Sequence, residues 1–84
     1  GEMITDVAIY YKDKLYSLPE PNRHHDVISM IHRETGDFGI RGSQGFLRDD
    51  GEFLDREDGL EYVLRVGQIE KTRHSRLLFS EDLW

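Results

Sequence analysis

Two β-hairpins, each followed by an amphipathic helix, and a short closing strand predict an α+β fold. Its architecture is a small antiparallel sheet with two helices packed on one face. Three observations carry this expectation: strand-type runs on both sides of two polar breaks, helical apolar spacing after Asn22 and Asp55, and a glycine ending each helical stretch. The chain has 84 residues, which makes one domain, 1–84, and leaves no room for a second. Gly1-Glu2 ahead of Met3 reads as an expression scar.

The first hairpin joins Val7–Tyr11 to Leu15–Leu18, both rich in β-branched, aromatic and aliphatic residues, through the polar Lys12-Asp13-Lys14. Pro19 and Pro21 stop the second strand. Asn22 is a good N-cap, and Val27, Ile28 and Ile31, with His24 and Thr35 on the same stripe, have helical period up to Gly36. A glycine-rich connection, GDFGIRGSQG, follows.

In GFLRDDGEFL, a three-residue loop Asp49-Asp50-Gly51 sets Arg48 opposite Glu52, Leu47 opposite Phe53 and Phe46 opposite Leu54. A two-residue loop would set Asp49 against Glu52, a like-charge pair. The second helix starts at the N-cap Asp55, buries Leu60, Val63 and Leu64, and ends at Gly67. Gly59 inside it costs about 1 kcal/mol relative to alanine, which the close approach of another backbone would explain. The tail has a basic turn (Lys71, Arg73, His74, Arg76), then Leu77–Phe79 as the short strand, then Ser80–Trp84.

Composition removes several function classes. Without cysteine there are no disulfides, thiolate metal sites or cysteine nucleophiles, and a cytoplasmic location is expected. There is no signal peptide and no long apolar run to span a membrane. The net charge of −6 argues against non-specific nucleic-acid binding, which needs a basic excess. It suits an acidic surface offered to a basic partner. A domain this small has a thin core, and assembly as a homo-oligomer is one way to complete it.

Three of the four histidines stand on the first helix, at positions 24, 25 and 32. Two histidines on a helix share a metal when they are one turn apart. His25 and His32 are instead roughly 10 Å apart along the axis, and His24 and His25 point about 100° apart. No metal and no cofactor is expected. The acidic runs DDGE and DREDGLE lack the alternating spacing of a calcium loop. There is also no nucleophile elbow, phosphate-binding loop or dinucleotide fingerprint.

Arg23, His24 and His25 occupy the first helical positions, where free N–H groups favour anions. This suggests a phosphate site, with Arg41 and Gln44 on the opposite wall and Phe46 or Trp84 stacking on a base. If the protein is an enzyme, His24 or His25 would be the general base of a phosphodiesterase, with His74 a distant second group. The plainer alternative puts His24 under the sheet and leaves Arg23 and His25 in water. Trp84 would dock on its own domain or on a second subunit.

Four blocks, LPEPNRHHDVI, GSQGFL, GEFLDREDGLEYVLRVGQI and LFSEDLW, resemble a family of small accessory proteins of tailed bacteriophages and prophages. The resemblance runs from about Leu18 to Trp84. The family often has alanine at the position of Gly59 and a histidine at that of Asp26. It implies a phage protein made in the bacterial host cytoplasm, and no catalytic residues come with it. Small phage accessory proteins often counter host defence. Two routes follow: binding a phosphorylated nucleotide-type ligand, through Arg23, His24, His25 and Arg41, or acting as an acidic inhibitor of a host defence protein.

Overall fold

Alternation writes the first strand: Val7, Ile9 and Tyr11 are buried on one face, while Tyr10 is exposed on the other. In the computed structural model, which describes residues 3–72 and 76–84, β1 spans Ile4–Tyr11 and β2 Lys14–Pro19. Helix α1 (His24–Thr35), β3 (Ser43–Arg48), β4 (Phe53–Asp55), α2 (Arg56–Val66) and the one-turn α3 (Ser80–Leu83) follow. The sheet order is β2-β1-β3-β4 and every neighbouring pair is antiparallel. The predicted α+β fold, an antiparallel sheet covered by helices, is the one observed.

The first turn is tighter than expected. Tyr11 pairs with Lys14, so the loop is Lys12-Asp13 alone, with φ of 50° and 64°. Two left-handed residues give the turn a twist that matches its strands. At the other end of β1 the register shifts between Ile4 and Asp6, and β2 ends opposite Asp6. There the Gln68 side chain substitutes for a strand, bonding the Ile4 N–H through Oε1 at 2.8 Å and the Ile4 carbonyl through Nε2 at 2.9 Å.

The second hairpin has the expected register, Leu47 opposite Phe53 and Phe46 opposite Leu54. Gly51 sits at φ 88°, and Arg48 N–H donates to the Glu52 carbonyl at 3.0 Å, so the loop is the three-residue one. Arg48 also ion-pairs with Asp50 and Glu52.

The N-cap of α1 stands one residue later than the expected Asn22. The Asn22 side chain is spent on the Pro19 carbonyl at 2.8 Å, so Arg23 becomes the N-cap, its N–H held by Asp26 Oδ2 at 2.8 Å. Gly36 closes α1 in the left-handed conformation. Helix α2 is capped as expected: Asp55 Oδ1 accepts from the Asp58 N–H at 2.8 Å, and Gly67 ends it. Leu60 and Val63 are buried, but Leu64, expected beside them, lies at the edge of the stripe and is 41% exposed. Tyr62 is buried instead, with the Arg48 and Arg65 guanidiniums over its ring.

The short C-terminal strand is not formed. Leu77–Phe79 stays outside the sheet, and Leu78 N–H donates to the Arg56 carbonyl at 3.0 Å. The reason is tertiary packing: β4 has only three residues, and Gly59 leaves a seat on α2 that fully buried Leu78 fills, next to Phe46 and Ile4. One core results, in which Val7, Ile9 and Phe46 of the sheet meet Val27, Ile31, Leu60 and Val63 of the helices. On the far face the Phe53 ring lies over Gly45 and meets Tyr10 edge-on at 4.8 Å. Among the described residues, no helix is long and apolar enough to cross a membrane.

Candidate functional site

His24 is the first residue of α1 and, with Ser80, one of two buried polar side chains among the described residues. Its Nε2 lies 2.7 Å from the Gly45 carbonyl and its Nδ1 lies 3.4 Å from a nitrogen of Arg56. A carbonyl only accepts and a guanidinium only donates, so Nε2 carries the proton and Nδ1 the lone pair. Burial holds the imidazole below its usual pKa, and the Arg56 charge acts in the same direction. The ring also meets Phe46 edge-on at 5.1 Å. His24 is therefore a neutral structural histidine with both nitrogens engaged, as in the plainer of the two sequence readings.

The other residues expected near it are dispersed. Arg23, half-buried, reaches Ser80 Oγ at 3.3 Å, and exposed His25 lies 3.4 Å from Asp26 Oδ1. The Asp26 carboxylate thus already stands in the first turn of α1, where an anion would bind. Phe46 has no exposed surface, so no base can stack on it. Trp84 docks on its own chain, its Nε1–H donating to the Asn22 carbonyl at 2.8 Å.

Arg41 and Gln44 do not face Arg23. Ser43 pairs with Tyr10, at the end of the sheet where Tyr11 OH bonds Asp37 at 2.6 Å just past the end of α1. Arg41 precedes Ser43, so it lies beyond the far end of α1, a helix about 18 Å long. Gln44 pairs with Ile9 and is half-buried.

His32 is likewise separate, its Nδ1 bonded to the Asp37 carbonyl at 2.7 Å. His74, with Arg73 and the leading Gly1-Glu2, lies outside the described residues. Among those described, no group of three histidine or carboxylate side chains is placed to hold a metal.

Two structural residues carried no signal in the sequence. Arg56 is read there as one charge in an acidic run, yet it orders the Nδ1 side of His24 and lies 4.6 Å over the Phe79 ring. Ser80, 2% exposed, receives Arg23. Together the segment Phe79–Trp84 ties the starts of α1 and α2.

The charge is distributed unevenly. From Arg48 to Glu61 there are seven acidic and two basic residues, a net −5 of the chain's −6. All seven carboxylates (Asp49, Asp50, Glu52, Asp55, Glu57, Asp58, Glu61) are exposed. Glu52, Asp58 and Glu61 line one groove of about 260 Å³ beside Tyr62, and Glu57, Asp58 and Glu61 line an adjoining one of about 400 Å³.

A four-stranded antiparallel sheet with two helices on one face, an acidic second half and a buried structural histidine define a small α+β protein with a polarised surface. The family model described as Phage T4 y16D protein matches residues 3–84. The chain belongs to that family of phage proteins. No curated protein and no solved structure shows significant similarity to it.

Proposed function

We propose that this phage protein is an acidic inhibitor that binds a basic surface of a host defence protein. The β3–β4 loop and the outer face of α2 form its contact surface. The observation that carries this reading is the concentration of −5 of the net −6 in one continuous stretch whose seven carboxylates are all exposed. Complementary charge steers association and rejects partners of the wrong sign. The competing idea, a phosphorylated nucleotide held at the start of α1, has less support: His24 is committed to Gly45 and Arg56, and Asp26 repels an anion there. The same commitment of His24 counts against a histidine-dependent phosphodiesterase.

The test is capture of a partner from host lysate and its response to charge. Binding should weaken steeply with added salt. Reversals at Asp49, Asp50, Glu52 or Glu57 should abolish it, while Arg23→Ala and His25→Ala leave it intact. Loss with Arg23→Ala and retention with the acidic reversals would overturn the reading.

A further inference from the structure

A groove of about 530 Å³ runs between the third turn of α1 and the loop Asp37–Ile40, lined by Ile28, His32, Arg33, Phe38 and Ile40 among others. That volume falls within the range of small-molecule sites, about 300–1,000 Å³. The groove is far from the acidic half, on the opposite end of α1 from Arg23.

Its chemistry is specific in three respects. Phe38 is 86% exposed, held against His32 with ring centroids 4.5 Å apart. Leaving a phenylalanine ring in water forgoes about 2 kcal/mol of burial, so an occupant that covers the ring recovers it. Next, the Asp37 carbonyl accepts from His32 Nδ1–H at 2.7 Å, which leaves Nε2 as the ring nitrogen that can accept a hydrogen bond. Charge is the third. Lys12 pairs with Asp37 and Lys14 with Glu34, whereas Arg33 and Arg41 make no ion pair among the described residues. Arg33 lines the groove and Arg41 directly follows its wall residue Ile40. This end of an acidic protein therefore carries an unbalanced positive charge.

We infer that this groove binds a small planar heteroaromatic anion, a ring with an N–H donor and a phosphate or carboxylate, of nucleoside-monophosphate size. Phe38 supplies the stacking face, Ile28 and Ile40 the apolar walls, and His32 Nε2 the acceptor for an N–H of an amino group on the ring. Arg33 and Arg41 hold the anion. The site stands apart from the proposed acidic contact surface and does not depend on it.

Amide chemical shifts of the whole chain, followed during titration with AMP, with adenosine and with inorganic phosphate, test the inference. Saturable shifts confined to residues 28–41, with AMP binding more tightly than adenosine or phosphate, are expected. Phe38→Ala and Arg33→Glu alter exposed side chains and should each weaken AMP about tenfold or more. Their unchanged melting curves would show that the fold is intact. Glu57→Lys, on the acidic half, should leave AMP binding unchanged. Absence of saturable shifts at millimolar AMP, shifts centred on Arg23–Asp26, adenosine binding as well as AMP, or wild-type affinity in both variants would each overturn it.

Discussion

The Nε2–H of His24 donates to the carbonyl of Gly45 across 2.7 Å, joining the first turn of α1 to the middle of β3. The Arg56 guanidinium on Nδ1 requires the neutral ring, because only a lone pair there can accept its N–H. Burial lowers the folded-state pKa below the ordinary value of 6.5, so between the two values the unfolded chain binds more protons than the folded one. Stability is therefore full above about pH 6.5 and falls as the pH drops through the folded pKa. Thermal melts taken from about pH 8 downward through the ordinary histidine range should show the decline. His24→Gln, which removes the titration, should flatten this part of the profile. At neutral pH His24→Ala should cost about 3 kcal/mol, from the cavity and the lost hydrogen bond.

Most of the sheet and helix framework was legible because its signals are local. The register of β3 with β4 follows from Gly51 and from the like-charge pair that the alternative loop would create. Helix ends followed from Asp55, Gly36 and Gly67. Leu77–Phe79 departs from the expected strand because an apolar run alone does not say whether it pairs with a strand or fills a hole on a helix. That choice was made by Gly59, a long-range partner. The candidate site depends on the same kind of information: Arg23, His24 and His25 are adjacent in sequence, but a helix turns them apart, and one goes inward to Gly45. Arg41 is set apart from them by the length of α1, which no local pattern encodes.

Trp84 fixes the end of the chain through a single directional bond to the Asn22 carbonyl at 2.8 Å, with its ring packed against the core. Trp84→Phe keeps most of the apolar contact and should cost about 1 kcal/mol. Trp84→Ala should cost about 2 kcal/mol and loosen α3 as well. Urea denaturation gives the energies, and hydrogen exchange at Asp82 and Trp84, whose N–H groups donate to Phe79 and Ser80, reports the loosening.

Gly45 is required by its neighbours rather than by its backbone angles. A Cβ there would run into the Leu54 carbonyl oxygen of β4 and into the Phe53 ring on the open face. Gly45→Ala should therefore destabilise by about 3 kcal/mol, the upper end for overpacking. The ring can swing away but the carbonyl belongs to the strand pair. Adding Phe53→Ala should consequently fail to restore stability, which chemical denaturation of the double variant will check.

Gly59 presents the opposite balance. It lies inside α2, where glycine costs about 1 kcal/mol relative to alanine. A Cβ would stand 3.3 Å from Leu78 Cδ2 and 3.4 Å from Phe46 Cδ2, a few tenths closer than comfortable contact. Both neighbours are side-chain methyl or ring-edge atoms, and a small rotation of the Leu78 side chain moves Cδ2 by that amount. Helix propensity then outweighs the crowding, and Gly59→Ala should raise stability by about 0.5 kcal/mol. Gly59→Leu, whose branch needs the space that Leu78 occupies, should expel the 77–79 segment and cost about 3 kcal/mol. Melting both variants, with Leu78→Ala/Gly59→Leu as the space-restoring control, separates the two terms. A destabilised Gly59→Ala would mean that Leu78 is held rigidly in place, and that the hydrogen bond from its N–H to the Arg56 carbonyl resists the shift.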